Sequence, residues 1–545
     1  VAVIVFPKFS GVAPVLNPSR LPPGMAQDAT DVDLLARTLR PWKGLLDVQT
    51  GLGTTEPCSI YRFGLTLTSD TQYWMTWQGY DVDAVKAPIV ADATERTLYT
   101  GNGAPKWTNS TLALTGGPPY PQAYRDLGVQ SPAAAPNVVV TGTGSGTAES
   151  RAYVYTNVTQ YGEESAPSPA SSVVSVQSGQ TVTIDGFSAA PGGNGSTTAR
   201  RIYRGIANQD VFNYFFVKEI ANAVTSTTDD VGENIGEALI TQGWLVPPSD
   251  MAGITVMANG ICVGFSGYDV CVSEQGVPYA WPYEYRKAAD FPIVNCKALG
   301  NSTVVGTKGF PYLLSGAAPD QLVLTKIEVP EPCVSKRSMV SMGGYVAYAS
   351  QHGLIGIDGG GGVRNLTEGL FSRKEWTTLV PSSIRGYLYN GRYIGFYNTG
   401  SVTAGFVFEP RQGDAAWTWL SAYALAGHTD LAQDNLYLQV STKIQKFDAS
   451  GSYNNYVWRS GVTTMVRPVA IRSGIVFAAT YPVTLKLYAD GALVHTETVA
   501  GKNIFRIGMN DEKREFEVQL EGANEIEKVI LASSVSEIKS LLGGS

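Results

Sequence analysis

The sequence predicts an all-β chain: a distorted β-propeller-like core, a fibronectin- or Ig-like β-sandwich inserted into it, and a second β-sandwich at the C-terminal end. Three observations predict this. The 59 Gly and 30 Pro residues punctuate the chain at turn spacing. Between them the apolar residues come in short runs, aromatic-rich at 10% overall, at strand rather than helix periodicity. Asn-Gly dipeptides, which favour the hairpin turn that matches strand twist, sit between two pairs of such runs. At roughly 150 residues per domain, 545 residues make three or four domains, or one large propeller with additions.

Taken in order, residues 1–46 form an N-terminal arm. It is turn-rich, as in Leu21-Pro22-Pro23-Gly24, and holds a short run, Met25 to Arg37, whose pattern leaves helix and strand open. Residues 47–130 are a first propeller-like part, with strands expected at Gln72 to Trp77, Val82 to Ile89 and Arg96 to Tyr99 before the Gly101-Asn102-Gly103 turn. A shift to Ser, Pro and Ala near 130–136 opens the inserted sandwich, 131–247. Its strand candidates number about seven, as such a fold requires, and include Thr181 to Ile184, Arg201 to Tyr203 and Tyr214 to Ile220.

The second propeller-like part, 248–456, carries two predicted tight hairpins, at Asn259-Gly260 and Asn390-Gly391. Ser302 to Thr307, Tyr345 to Ser350, Leu354 to Ile357 and Gly405 to Phe408 repeat the short-strand theme without a strict period, as degenerate blades do. Residues 457–545 read as the C-terminal sandwich, from Val483 to Ala489, the Asp490-Gly491 turn, Ala492 to Thr498 and Glu515 to Glu521.

Composition excludes several function classes. The net charge is -7, so the chain lacks a basic nucleic-acid footprint. The opening Val1 to Phe6 is far shorter than the ~20 residues of a spanning helix. Val1 to Leu16 carries no secretory pattern, so general export is not expected. The cysteines Cys58, Cys262, Cys271, Cys296 and Cys333 are odd in number and show no C-x-x-C pair, which reads as buried free thiols.

The residues of the chain that could do chemistry sit in structural settings. Of the three histidines, His352, His428 and His495, none sits at metal-pair spacing. His352 is the best candidate base, but its Ser350-Gln351-His352-Gly353 setting is a turn without a nucleophile elbow. Asp229-Asp230 is the closest carboxylate pair for a glycosidase and reads as solvated turn acids or cation-binding ones; sialidase-type Ser-x-Asp-x-Gly-x-Thr-Trp boxes are not found. The glycine runs 142–146 and 359–362 lack the Lys and following helix of a phosphate loop and read as turns. Asn-x-Ser/Thr triplets at Asn109, Asn157, Asn194, Asn301 and Asn365 carry no weight without secretion. No catalytic, cofactor-binding or metal residue is assigned.

A set of phrases does carry a resemblance. Phe6-Pro7-Lys8-Phe9, Leu21-Pro22, Ala26, Asp28-Ala29 and Leu39-Arg40-Pro41 open it. Arg96 to Gly101 with Pro105-Lys106, Gly162-Glu163-Glu164-Ser165-Ala166-Pro167 and Arg201-Ile202-Tyr203-Arg204 continue it. Pro278 to Pro282, Cys333 to Ser338, Tyr348-Ala349-Ser350 with Gly353-Leu354, and Trp458-Arg459-Ser460 follow. Together they resemble the tail nozzle, or tail tubular protein B, family of short-tailed phages (podoviruses), over nearly the whole chain. One departure is Gly461, where the family pattern has Lys.

The resemblance implies a non-enzymatic virion protein of the distal tail, made in the host bacterial cytoplasm. It would form a homohexameric tube below the portal and adaptor (head-tail connector) ring, retain the genome and conduct DNA during ejection, offer surface to tail fibres or spikes, and need no cofactor or stable membrane insertion. The net charge of -7 suits DNA passage without sequence-specific binding, and equally suits plain solubility. Two other classes stay open at this stage, a receptor-binding tail fibre or adhesin and a tail-borne glycan hydrolase.

Overall fold

The computed structural model describes residues 2–50, 52, 56, 58–64, 73–192, 195, 197–208, 211–230, 235–411 and 417–543. Among them the chain is all-β, with three short α-helices. Gln72 and Asn194 lie outside the described residues, as does the Cys58 side chain.

Six sheets share one plan, four antiparallel strands side by side, five of them in chain order. Their first strands are Asp83–Lys86, Ala252–Val256, Ile293–Leu299, Val340–Ser341, Arg385–Tyr389 and Ala426–Asp430. The sixth sheet takes its fourth strand, Leu46–Gln49, from the N-terminal region, paired with Lys443–Lys446. A two-stranded sheet, Cys58–Arg62 with Trp74–Gln78, stands beside them.

The seven first strands are successive neighbours but belong to separate sheets, so they form no hydrogen-bonded barrel. The order runs from Asp83 through Ala252, Ile293, Val340, Arg385 and Ala426 to the Cys58 strand. The last step, back to the Asp83 strand, is made by Ser59, whose Oγ donates to Tyr80 O (2.9 Å) and accepts from Val82 N (2.7 Å).

An apolar cluster fills each gap between successive sheets. Leu98 and Trp107 pack with Ile254 and Cys262, Val263 with Leu314, Val304 with Tyr348, and Leu354 with Tyr393. Ile394 then packs with Leu438, Tyr437 with Trp74, and Trp77 with Tyr99. Each sheet is thus covered on both faces. That is why middle strands such as Arg392–Asn398 and Leu354–Asp358 are buried almost end to end, and why they read as continuous apolar runs instead of alternating ones.

Residues 137–229 form two further sheets. Asn137–Thr141, Thr181–Asp185 and Ser226–Asp229 make one; Ser145–Thr159, Val174–Ser178, Thr197–Asn208 and Val211–Ala221 make the other. Tyr153, Tyr155, Val182, Ile184 and Ile202 from both sheets share one core.

Two C-terminal strands, Val483–Ala489 and Tyr456–Ser460, alternate cleanly in and out, because only one face meets the core, whereas Ser473–Ala478 and Ile526–Ala532 each hold a run of four buried residues. The N-terminal region is woven into them. Val3–Phe6 pairs with Ile526–Ala532, and Ala26–Thr30 lies between Trp417–Leu420 and Tyr456–Ser460, joining the fifth sheet to the C-terminal strands in one ten-stranded sheet. The 25–37 run therefore holds strand, Ala26–Thr30 and Val32–Asp33, and no helix.

The turn chemistry is specific. Asn390 and Gly391 both adopt positive φ (48° and 72°), as a two-residue type I′ turn demands, with Tyr389 paired to Arg392. At Asn259-Gly260 only the glycine is at positive φ and the pairing resumes at Val256 and Cys262, so this loop is longer than the tight hairpin the dipeptide predicts.

Candidate functional site: the axial cavity

The seven first strands enclose a cavity of 1320 Å³. Ion pairs cross it. Asp81 and Asp83 enter from the segment that leads into the first sheet; Lys336 and Arg337 come from a 3-10 turn before the Val340 strand, three sheets away around the ring. Arg337 Nη1 donates to Asp83 Oδ1 (3.0 Å), Nη2 to Val82 O (2.9 Å), and Nε to Asp81 Oδ1. Lys336 Nζ lies 2.7 Å from Asp83 Oδ2 and donates to Asp81 O at 3.0 Å. Burial works to raise the Asp83 pKa, but Arg337, Lys336 and Lys297 overcome it and hold the carboxyl well below the usual carboxylate range.

Elsewhere on the wall, Arg62 Nη1 donates to Asp430 Oδ2 (2.7 Å). Beside this pair His428 is packed edge-on against Tyr61 (5.0 Å) and Trp74 (6.0 Å). Burial, with Arg62 acting in the same direction against the attraction of Asp430, lowers its pKa to about 4, so the ring is neutral. The arrangement neutralises charge against charge across a cavity. Among the described residues no group of three or more His, Cys, Asp or Glu could hold a metal ion.

The residues singled out in the sequence lie apart from one another. His352 Nδ1 is 3.2 Å from Glu331 Oε2, and the Ser350 hydroxyl donates to the same oxygen at 2.7 Å. Both meet the carboxylate instead of each other, whereas a triad needs the imidazole between hydroxyl and acid. Asp229 is buried and accepts from Tyr153 Oη (2.8 Å) and Arg204 Nη1 (3.0 Å), whereas Asp230 is exposed and paired with Lys218. The two neighbouring carboxylates therefore face different environments. Asp358 accepts the Gly360 and Gly362 amides (2.9 Å each) inside the 359–362 loop, which closes a hairpin. Cys262, Cys271, Cys296 and Cys333 are free and buried, and burial pushes each thiol up to about 12. Asn109 caps a short helix and Asn157 is buried.

The family-like phrases behave differently, because they touch one another. Phe6 and Phe9 pack edge-on against Trp458 at 5.6 and 5.0 Å, and Trp458 Nε1 donates to Ser10 O. The Arg96 guanidinium lies 4.0 Å over Trp107 and pairs with Glu163, joining the first sheet to the 137–229 unit. Next to it, Glu164 accepts from Thr156 and Tyr203 (2.6 Å each) and from Arg201 (2.7 Å). Gly461 sits where an added Cβ would meet Leu21 Cβ at 2.8 Å and Pro18 O at 2.9 Å, so the close approach of the N-terminal segment requires glycine here. Sequence reasoning missed Asp81 and Asp83. Nothing in Gly79-Tyr80-Asp81-Val82-Asp83 distinguishes them from turn acids until the fold brings up Lys336 and Arg337.

No protein-family profile matches this chain, and no curated protein does. Among solved structures it is similar to dihydro-heme d1 dehydrogenase NirN at 12% identity and TM-score 0.25, over 66% of this chain and 74% of that one. PorZ, a bacterial surface component of the type-IX secretion system of Porphyromonas gingivalis, is similar at 12% identity and TM-score 0.23, over 79% and 77%. Likeness this loose carries no inference about activity. Among the described residues no helix is long and apolar enough to cross a membrane.

Proposed function

We propose that this chain is a structural subunit of a short phage tail, a nozzle protein that assembles as a homohexameric tube below the adaptor ring, retains the genome and conducts it outward. The observation that carries the reading is the pairwise meeting of the nozzle-like phrases: Phe6 and Phe9 with Trp458 and Arg96 with Glu163 at joints of the molecule, and Glu164 with Arg201 and Tyr203 inside the 137–229 unit. A phrase kept for chemistry would converge on one pocket. Phrases that hold units together suit a protein whose work is mechanical.

In this reading the seven sheets are the blades of a distorted propeller, the 137–229 unit is an inserted fibronectin- or Ig-like sandwich, and the C-terminal strands with the N-terminal arm form a second sandwich. The axial cavity of one subunit is bridged by Arg337 and Asp83, so DNA would pass through a lumen between subunits and not along a subunit's own axis. A ring of six copies uses one heterologous contact repeated until it closes, and the inserted and C-terminal units enlarge the surface available for it. The chain takes no catalytic role and no cofactor, and its exterior offers docking surface to tail fibres.

Electron microscopy of the purified protein and of virions tests this. A sixfold tube with an axial channel at the distal tail is the expected result, whereas threefold peripheral appendages would replace the proposal with receptor binding or glycan cleavage.

A further inference from the structure

Three segments that touch one another share one character. Residues 8–24 of the N-terminal arm meet residues 370–380 through Val15 N, which donates to Leu370 O (3.0 Å), and residues 461–469 through Val462 N, which donates to Pro18 O (2.9 Å). On a chain of net charge -7, these segments carry five cations, Lys8, Arg20, Arg373, Lys374 and Arg467, all of them exposed. Their one carboxylate, Glu375, caps the Arg373–Thr378 helix. None of the five cations makes an ion pair with a described residue. Among them stand exposed apolar side chains, Val15, Leu16, Val380 and Val466, the last 94% exposed. The patch joins positive charge to apolar area.

A patch of the opposite kind lies two sheets back around the ring. The 3-10 turns Tyr283–Tyr285, in the second sheet, and Pro319–Gln321, in the third, touch each other. Glu274, Glu284 and Asp320 gather there round Tyr285, whose Oη donates to Glu274 Oε1 (2.9 Å). Burial, followed by Glu274, Asp320 and Glu284, pushes this phenol up to about 12. The nearby cations Arg286 and Lys326 are engaged, one over the Tyr283 ring (4.7 Å) and the other with Asp290 (3.3 Å). Tyr283 adjoins Glu284 and is 65% exposed, and Val323, which follows Asp320, is exposed as well.

We propose that the two patches meet between copies of this chain: the cations of one copy lie against Glu274, Glu284 and Asp320 of the next, and its exposed apolar side chains against Tyr283 and Val323. The proposal rests on the tail reading above and names the contact that repeats around its ring. A phosphate backbone would match the cations but not the apolar groups set among them, whereas the acidic patch matches both. The two patches occupy different parts of the surface. A copy that uses one therefore keeps the other free for a further copy, and the contact propagates until the ring closes.

Sedimentation of the full chain at about 50 mM and about 500 mM salt tests it, because contacts between exposed charges weaken with salt. Arg373→Glu with Lys374→Glu reverses the basic patch, and Glu284→Lys with Asp320→Lys reverses the acidic one; all four side chains are exposed, so the fold is kept. Wild type should assemble beyond dimers at low salt and dissociate at high salt. Each variant alone should associate at least about tenfold more weakly. An equal mixture of the two should recover, because intact patch meets intact patch and reversed meets reversed. If the Arg373–Thr378 helix does not tolerate its substitutions, Lys8→Glu with Arg20→Glu reads the same patch. A wild type that stays monomeric, or a mixture that does not recover, would overturn the contact. Reversal of the basic patch that abolishes binding of a duplex DNA probe and leaves assembly intact would overturn it too, and give the patch to nucleic acid. Sixfold rings indifferent to both variants would overturn the contact and keep the tail reading; rings of another number that need both patches would do the reverse.

Discussion

Arg337 Nη1 lies 3.0 Å from Asp83 Oδ1 across the axial cavity, although Asp83 opens the first sheet and Arg337 lies in the 3-10 turn before the Val340 strand, three sheets away around the ring. The contact has a pH signature. The Asp83 carboxyl titrates well below its ordinary value in the fold and near ~3.9 when unfolded. Its contribution is therefore complete above the unfolded value and is lost as pH falls through the lower folded one. Asp83→Asn should cost about 2–4 kcal/mol at pH 7, because Arg337 and Lys336 then lose their buried partner. Urea midpoints should also show a flatter acid limb for the variant; a wild-type limb of unchanged steepness would refute the assignment.

His428 sets a second pH dependence, at milder acidity. Its folded pKa of about 4 lies under the ~6.5 of an unfolded histidine, so the unfolded chain binds the extra proton between those values. Stability is full above about pH 6.5 and declines toward pH 4 by up to about 1.4 kcal/mol per pH unit. His428→Phe should remove that slope in denaturation measured at pH 7, 6 and 5.

The joint between the first sheet and the 137–229 unit depends on Arg96. Arg96→Lys keeps the charge but loses the planar stack on Trp107 and the fork toward Glu163, and should cost about 1–2 kcal/mol. In a double-mutant cycle with Trp107→Leu, coupling of about 1 kcal/mol is expected. Simple additivity of the two changes would show that the stack contributes nothing.

Gly461 is expected to reject the lysine that the nozzle-like pattern suggests. Gly461→Lys and Gly461→Ala should both destabilise by about 1–3 kcal/mol, since a Cβ alone collides with Leu21 and the Pro18 carbonyl. The chain around Pro18–Arg20 should become more sensitive to protease in both variants. Wild-type stability in Gly461→Ala would mean that this segment yields freely.

Trp458 fastens the N-terminal arm. Trp458→Ala removes a fully buried indole, its two edge contacts and its bond to Ser10, and should cost about 3–5 kcal/mol. Limited proteolysis should then cut first within the arm; cleavage elsewhere at unchanged rate would separate Trp458 from the arm's docking.

The amino-acid sequence by itself determined the all-β character, most strand positions and the Asn390-Gly391 and Asp490-Gly491 turns, since these depend on side-chain periodicity and on backbone angles that neighbours set. It could also single out phrases such as Arg96 to Gly101 and Trp458-Arg459-Ser460 without saying what they touch. Their partners were decided by the tertiary structure, as were the woven N-terminal strands, the longer loop at Asn259-Gly260, the burial of Asp229 against Arg204, and the bridge from Arg337 to Asp83. The reason is the same in each case. Periodicity reports which face of a strand avoids water, but a charged pair 254 positions apart becomes a pair only when the closure of the ring brings both groups out of water to the same point.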